Sequence, residues 1–339
     1  MKAVGYRQHG LPISDPRALE DLELPDPGPP GGADLLVRVH AVSVNPRDVK
    51  SRMALAAEPG KPVVLGYDAS GTVEAVGPNA RLFRPGDAVF YAGVLNRQGS
   101  NAQLQLVDER IVGRKPATIG HAAAASMPLT ALTAWEMLFD RLEIPRTGAI
   151  AGTLLIIGGA GGVPSIAIQL ARLLTTKTVV ATASRPESAD WVRACGAHHV
   201  VDHSRPLAAQ VAALPGLPPV RWIFSTHTNT ASWAEMATII APQGRIGLID
   251  DPEPLDLRLV KFKSISIHWE AMFTRPMFDT ADMVRQHEIL NGIAALVDAG
   301  TLRATATQEF GRITADNLRR AHAAIEAGRV VGKITLEGF

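Results

Sequence analysis

The pattern of hydrophobic and polar positions divides the chain into two parts. Over roughly the first 120 residues, short apolar stretches alternate with polar residues and are separated by turns rich in proline and glycine. Leu35–Val44 and Val63–Val76 are predicted strand regions of this kind, and a turn at Arg84–Phe90 leads into another strand. Short strands with such turns are typical of a small, irregular β-barrel.

Beyond Gly120 the pattern changes to apolar strands that alternate with helices. Buried strands separated by helices are typical of a parallel, doubly wound sheet, so the sequence predicts an α/β fold. The predicted strands of this sheet are Leu154–Ile157, Thr178–Ala183, His199–Asp202, Trp222–Ser225, Arg245–Ile249 and Ser264–His268. The predicted helices are Ser165–Leu174, Glu187–Cys195, Leu207–Leu214, Ala231–Ile240, Thr280–Ala299 and Ala315–Ala327, and a last strand is expected at Lys333–Leu336.

Composition narrows the possible functions. The 339 residues include 34 basic and 33 acidic side chains, and a net charge of +1 argues against a dedicated nucleic-acid binder. Cys195 is the only cysteine, which excludes an internal disulfide and a zinc site built from cysteines.

A membrane span is the alternative interpretation of the uncharged stretch Thr147–Ala171, which is long enough to cross a bilayer. Six of its residues are glycine and Pro164 lies inside it, so we interpret it as a core strand, a sharp turn and a core helix. The first residues of the chain lack the long apolar core of a signal peptide. We therefore expect a cytoplasmic protein with no membrane contact.

A glycine-rich sequence lies directly between an apolar strand and an apolar helix. Glycines let a pyrophosphate approach the backbone, and a helix N-terminus offers unpaired N–H groups, so we predict a dinucleotide site. A merely tight turn is the alternative. Pro164 replaces a third glycine; we expect it at the first helical position, where it removes one N–H donor. The predicted cofactor-binding residues here are Gly158, Gly159, Ala160, Gly161, Gly162 and Val163.

The end of the second strand of the sheet indicates which dinucleotide binds. An acidic residue about 20 positions beyond the glycine turn usually binds a free ribose 2′-hydroxyl. Ser184 and Arg185 stand there instead, and this pair suits a 2′-phosphate, so NADPH is the predicted cofactor. The alternative is that Arg185 is a solvated surface charge. His203 ends the third strand and could donate to the same phosphate.

Six segments together resemble the medium-chain dehydrogenase/reductase superfamily, in particular its zinc-free branch that is similar to quinone oxidoreductases. They are VSVNPRDV (42–49), GYDASGTVEAVG (66–77), RPGDAV (84–89), PLTALTAWE (128–136), GGAGGV (158–163) and GKITL (332–336). Residues 264–290 further resemble the subgroup often labelled zinc-type alcohol dehydrogenase-like. The resemblance implies a GroES-like β-barrel catalytic domain at 1–124, a Rossmann domain at 125–272, and a return to the catalytic domain at 273–339.

The zinc ligands of the zinc-dependent relatives are not matched in this sequence. Those relatives use a cysteine, the histidine of a Gly-His-Glu motif and a later cysteine or acid, whereas Asn45 and Tyr67 stand near the first two positions. Only Asp48 and Asp68 could contribute ligands, and zinc needs about three or four. We therefore predict that no metal is bound.

Without a metal there is no Lewis acid to stabilise an alkoxide. Hydride transfer then requires an acceptor that is already electrophilic, such as a quinone or an α,β-unsaturated carbonyl, and a hydrogen bond to its oxygen. The resemblance implies that Asn45, Asp48 and Tyr67 lie by the nicotinamide, with Tyr67 as the hydrogen-bond donor and Asn45 shaping the pocket. The alternatives are that Asp48 caps a short helix and that Tyr67 bonds within the core.

The resemblance implies roles for four further residues. Thr133 would lie near the nicotinamide and its ribose, with a bond to its own helix backbone as the alternative. Ser225 and Thr226 would line the adenine-ribose side. Lys333 could approach the cofactor phosphate, with a solvated lysine as the alternative.

The sequence leaves two other functions open. One is a zinc-assisted alcohol dehydrogenase, and the other is a cofactor-binding protein with little turnover, as in relatives that serve as lens crystallins. The small-molecule substrate is not revealed. The strand Ser264–His268 would be a sheet edge, and the resemblance implies that it pairs with its copy in a homodimer.

Overall fold

A computed structural model describes residues 1–147 and 150–339; Gly148 and Ala149, inside the predicted range 125–272, lie outside the described residues. The strands are β1 Lys2–Tyr6, β2 Glu20–Glu23, β3 Asp34–Val44, β4 Val63–Val64, β5 Ala69–Val76, β6 Ala88–Tyr91, β7 Leu104–Asp108, β8 Val112–Arg114, β9 Thr153–Ile157, β10 Thr178–Thr182, β11 His199–Val201, β12 Val220–Ser225, β13 Arg245–Leu248, β14 Ser266–Trp269, β15 Ala306–Glu309 and β16 Lys333–Glu337. The α-helices are α1 Pro46–Ala54, α2 His121–Ala125, α3 Pro128–Trp135, α4 Gly162–Leu174, α5 Pro186–Ala194, α6 Leu207–Ala212, α7 Thr230–Ile239, α8 Arg258–Lys261, α9 Thr274–Met277, α10 Arg285–Asp298 and α11 Ala315–Glu326.

The chain folds into two compact units. Unit 1 comprises Met1–Leu132 and Phe273–Phe339, and unit 2 comprises Thr133–Met272. The sequence suggested a first boundary after residue 124. In the structure this boundary falls inside α3, after Leu132. The physical reason is that α2 packs against β3, β5 and β16, so the residues before α3 belong to unit 1.

Unit 1 is organised around β3, which pairs antiparallel with β5, β7 and β16 along its eleven residues. Register shifts between β3 and β5 bend this strand and let one strand serve several partners. The larger sheet has the order β15-β16-β3-β5-β6-β8, and a small sheet has the order β2-β1-β4. This arrangement confirms the predicted GroES-like β-barrel.

Unit 2 contains a six-stranded sheet in which every neighbouring pair is parallel. Its order is β11-β10-β9-β12-β13-β14, so the chain starts in the middle, moves to one edge and then to the other. β9 is buried along its whole length, as expected for a sheet covered on both faces. The predicted Rossmann sheet is therefore confirmed, and ligands bind such sheets beyond the carboxyl ends of the central strands.

Two predicted elements begin later than the sequence suggested. β14 starts at Ser266 because Ser264 has a left-handed backbone, with φ of 52°, which extended strands do not accommodate. α10 starts at Arg285 because Thr280 and Asp282 form a local turn through a hydrogen bond between their side chains at 2.6 Å.

β14 lies at the edge of its sheet, and Trp269 at its end is 56% exposed. Pairing of this edge with a second copy remains a prediction. No helix within residues 1–147 and 150–339 is long and apolar enough to cross a membrane. The cytoplasmic location also remains a prediction.

Unit 1 contains a buried histidine. His322 on α11 is fully buried, and within the described part of the chain neither ring nitrogen has a hydrogen-bond partner. Burial, with a smaller contribution from Arg52 on α1, lowers the pKa of His322 to about 3. The ring is therefore neutral in the folded protein over the whole range in which an unfolded histidine takes up a proton.

We predict that acid destabilises the protein partly through this residue. The unfolded state binds a proton below about pH 6.5 while folded His322 does not, so this site alone should cost about 2 kcal/mol of unfolding free energy between pH 7 and pH 5. Urea unfolding of His322→Leu should show a smaller loss over that interval than the wild type. His9→Gln, at an exposed position, is the matched control. An unchanged pH dependence in His322→Leu would contradict the assignment.

Candidate functional site

The glycine-rich turn follows β9 and packs closely against the neighbouring strands. Gly158 has a left-handed φ of 86°, and a Cβ atom there would lie 2.3 Å from the Thr226 side-chain oxygen. A Cβ on Gly159 would lie 2.9 Å from the Thr182 carbonyl oxygen. Larger side chains are therefore excluded at both positions, and the backbone itself forms the surface of the turn.

The N-terminus of α4 completes this turn. Gly161 is the N-cap, and Ala160, Gly162 and Val163 are partly exposed. Pro164 is the third residue of the helix, not the first as predicted, because α4 already begins at Gly162. Its missing N–H would still have lacked an intrahelical acceptor, so the first turn keeps its other unpaired donors. An anion fits such a helix end.

Thr182, at the end of β10, connects the turn to the next strands. Its side-chain oxygen accepts a hydrogen bond from the Gly158 N–H at 3.0 Å and lies 3.1 Å from the His203 Nδ1. Its carbonyl accepts from the Gly159 N–H at 3.0 Å. Sequence reasoning missed this residue; the available signal was a hydroxyl side chain at the end of β10, directly after the apolar run Val-Val-Ala.

The predicted phosphate-binding residues lie at the carboxyl ends of β10 and β11. Ser184 is exposed, Arg185 is half-buried at the N-cap of α5, and His203 is exposed. Partial burial lowers the pKa of His203, the Asp202 carboxylate opposes the shift, and the His227 and Arg185 charges add to it. The Arg185 charge thus acts on His203, whose ring lies 3.1 Å from the Thr182 oxygen that binds the glycine turn.

Two of the remaining residues predicted for the cofactor differ in their surroundings. Thr226 bonds the Ile157 carbonyl at 3.0 Å and borders Gly158, so it belongs to the turn. Ser225 is buried, donates to the His227 carbonyl at 3.1 Å and accepts from the Thr228 hydroxyl at 2.9 Å. Its hydroxyl is thus engaged within the protein.

Unit 1 contains a buried polar cluster centred on Asp68. One carboxylate oxygen accepts from the Leu129 N–H at 2.8 Å, and the other accepts from the Asn45 amide at 2.8 Å and from the Lys333 ammonium at 3.0 Å. Asp68, Asn45 and Lys333 are all at most 4% exposed. Burial raises the pKa of Asp68, and the Lys333 charge and these donors oppose the rise.

Asp48 caps the helix α1, which is the structural alternative foreseen from the sequence. It is the third residue of the helix, and its carboxylate accepts from the N–H of the N-cap residue Asn45 at 2.8 Å. Its second oxygen is buried and, among the described residues, has no hydrogen-bond partner. Burial raises the pKa of Asp48 to about 7, so a proton is held there up to neutral pH.

Tyr67 is buried beside this cap. Its hydroxyl donates to the Ser51 hydroxyl at 3.1 Å, and its ring contacts Phe273 edge to face, with 5.4 Å between ring centres. Burial is the main reason that the pKa of Tyr67 is raised, so the phenol keeps its proton. The residue can act as a donor and not as a base at neutral pH.

Both sequence interpretations of Lys333 are wrong. The residue is neither solvated nor available to a phosphate, because its side chain is only 4% exposed and its ammonium group donates to the Val44 carbonyl, the Asn45 amide oxygen and the Asp68 carboxylate. An ammonium group has three hydrogens, and all three are used. Thr133, the last predicted residue, is buried in α3.

The residues at the expected metal position do not fit a zinc ion. Within the two described ranges, no group of three or more histidine, cysteine, aspartate or glutamate side chains could hold a metal. Asp68 is already paired with an internal cation, and Asn45 bonds both members of that pair. No step of the chemistry below is therefore assigned to a metal.

Comparison with known proteins identifies the family. A model of the alcohol dehydrogenase GroES-like domain matches residues 31–129, and a model named zinc-binding dehydrogenase matches residues 195–336. A zinc-type alcohol dehydrogenase-like protein of Staphylococcus aureus is 43% identical over 310 residues, which are 91% of this chain and 91% of that protein. The chain belongs to the medium-chain dehydrogenase/reductase superfamily.

Solved structures agree with this medium-chain dehydrogenase/reductase assignment. A crystal structure from Rhizobium etli, of a protein described as a candidate zinc-dependent alcohol dehydrogenase, is 55% identical with a TM-score of 0.96, and the match covers 100% of this chain and 98% of that one. The Escherichia coli quinone oxidoreductase complexed with NADPH has a TM-score of 0.83 over 99% of this chain and 100% of that one. At 21% identity, the second likeness shows the fold alone. The protein is thus an oxidoreductase of this superfamily.

We predict that the Lys333–Asp68 pair is needed for the stability of unit 1. Lys333→Met leaves a buried carboxylate without its cation, which should cost about 3–5 kcal/mol of unfolding free energy. Urea unfolding measures this loss. The double variant Lys333→Met with Asp68→Asn removes both charges and should recover most of it. A single variant as stable as the wild type would show that the pair contributes little.

Proposed function

We propose that the protein is an NADPH-dependent oxidoreductase that reduces quinones or α,β-unsaturated carbonyls without zinc. The observation that carries this proposal is the arrangement at the carboxyl ends of β9, β10 and β11. There, a glycine turn at a helix N-terminus is connected to His203 through Thr182, and Arg185 follows β10; both side chains are suited to an additional phosphate.

The residues of unit 2 fit a phosphorylated dinucleotide. The partly exposed turn and the start of α4 can bind a pyrophosphate, because backbone N–H groups and the helix dipole favour an anion. Arg185 can pair with a 2′-phosphate, whereas a carboxylate at this place would repel it. The E. coli structure with NADPH shares this fold.

When bound, the reduced nicotinamide supplies a hydride. The chain's own residues then have to orient the acceptor and donate a hydrogen bond to the oxygen that gains negative charge. Acceptors in which conjugation already spreads that charge need no Lewis acid. Quinones and α,β-unsaturated carbonyls are such acceptors, which is why we favour them over simple alcohols and ketones.

Tyr67 is our candidate donor to the acceptor oxygen. Its hydroxyl now donates to Ser51, but either of two paired hydroxyls can be the donor. If Ser51 donates to Tyr67, the phenol hydrogen is free for the acceptor. In this proposal Asn45 and Asp48 are positioning residues, since both hold the start of α1 and Ser51 lies on that helix.

Zinc independence is part of the proposal. Lys333 lies 3.0 Å from Asp68 and supplies within unit 1 the positive charge that the carboxylate requires. A zinc-assisted alcohol dehydrogenase is the competing function, since relatives carry that name.

We predict that metal-free protein oxidises NADPH when a quinone or an enone is added. Protein treated with a chelator and shown by elemental analysis to hold less than about 0.1 zinc per chain should keep its full rate, because zinc catalysis needs about one ion at each site. The decrease in NADPH absorbance at 340 nm measures the rate. Loss of activity on zinc removal, restored by added zinc, would favour the alcohol dehydrogenase. NADPH binding with no turnover across acceptors would indicate a binding protein.

We predict that Arg185 discriminates between the two dinucleotides. Arg185→Ala removes a charged partner of the 2′-phosphate and should weaken NADPH binding about tenfold or more, with little effect on NADH. Dissociation constants from the quenching of tryptophan fluorescence measure both. Arg193→Ala, on the same helix and exposed, is the matched control. Equal losses for both dinucleotides would contradict the assignment.

A further inference from the structure

The hydroxyl of Thr182 constrains the state of His203. Thr182 is fully buried, and its oxygen already accepts the Gly158 N–H, so its own hydrogen needs an acceptor. The His203 Nδ1, at 3.1 Å, is the partner in the structure. A neutral ring that accepts at Nδ1 carries its hydrogen on Nε2. His203 therefore offers one N–H donor from an exposed position.

The same pair tolerates a charged ring. An imidazolium donates from both nitrogens, and the Thr182 oxygen can accept from Nδ1 through its remaining lone pair. The Thr182 hydrogen then loses its acceptor, and this cost has to be outweighed by the pairing of the imidazolium with the phosphate. The groups that act electrostatically on His203 are Asp202, which favours the charged ring, and Arg185 and His227, which oppose it. A phosphate dianion beside the ring would add a charge of the favourable sign. Binding of such an anion and protonation of the ring are therefore thermodynamically linked.

We propose that His203, oriented by Thr182, takes up a proton when a 2′-phosphorylated adenosine ribose binds, so that preference for the phosphorylated ligand rises as pH falls. Thr182 is a positioning residue in this arrangement, because it contacts His203 and the glycine turn. The inference rests on the proposed NADPH function and adds a titrating group to it. It also distinguishes His203 from Arg185, whose charge is permanent.

Calorimetry with cofactor fragments tests the proton uptake. Titrations of 2′,5′-ADP and of 5′-ADP are carried out at pH 7 in two buffers that differ in ionisation enthalpy, and the difference in heat gives the protons taken up. We expect clear uptake with 2′,5′-ADP and little with 5′-ADP. In His203→Gln, which keeps an N–H donor but does not titrate, the uptake should disappear.

Variants of Thr182 test the positioning. Thr182→Val should weaken 2′,5′-ADP about tenfold, the loss expected for one hydrogen bond to a charged group. Thr182→Ser keeps the hydroxyl and should restore binding and proton uptake. A merely structural role in the turn would instead weaken 2′,5′-ADP and 5′-ADP equally.

The outcomes separate this inference from the proposed function. Tight binding of 2′,5′-ADP without proton uptake, or with uptake that persists in His203→Gln, overturns the inference and leaves the NADPH proposal standing. Equal affinity for 2′,5′-ADP and 5′-ADP overturns the NADPH preference, and with it the inference. Failure of both ligands to bind overturns the dinucleotide proposal itself.

Discussion

The close approach of Gly158 to its neighbours is the constraint on which the candidate cofactor site depends. A Cβ atom on Gly158 would collide with Thr226, and the backbone of Gly158 is left-handed, so only glycine fits there. The chain passes from the end of β9 to the start of α4 in four residues. The hydrogen bond from Gly158 to Thr182 then fixes the turn to β10. The same threonine contacts His203, so the turn and the segment that follows β11 share one buried hydroxyl.

The main constraint in unit 1 is the burial of the Asp68 carboxylate. Asp68 is completely inaccessible to solvent, and the cost of removing its charge from water is offset by an ammonium and two neutral donors. Lys333 comes from β16, 265 residues further along the chain, so the strand that pairs with β3 also supplies the cation for Asp68. The Asp68 carboxylate is therefore paired with a cation from within unit 1.

The two aspartates of unit 1 show how similar residues acquire different roles. Asp68 has a cation and two donors, whereas Asp48 has one backbone donor and one oxygen without a partner. Burial raises the pKa of Asp48 to about 7, because the Asn45 N–H and the Lys333 charge oppose the rise only in part. Its bond to the Asn45 backbone, together with the Asn45 amide on Asp68, ties the start of α1 to the charged cluster.

The sequence by itself determined the fold class, the family and the place of the glycine turn, because these follow from local patterns. Alternation of apolar strands and helices specifies a parallel sheet, and glycines between a strand and a helix specify a tight turn. The role of Lys333 was out of reach, since neither Asp68 nor Asn45 is near it in the chain. The hydroxyl at the end of β10 is visible in the sequence, but its partners Gly158 and His203 are not, since they depend on β9, β10 and β11 ending side by side. Only the tertiary structure determined these partners, because burial and hydrogen bonding depend on which distant residues come into contact. The hydrophobic periodicity of the sequence does not indicate those contacts.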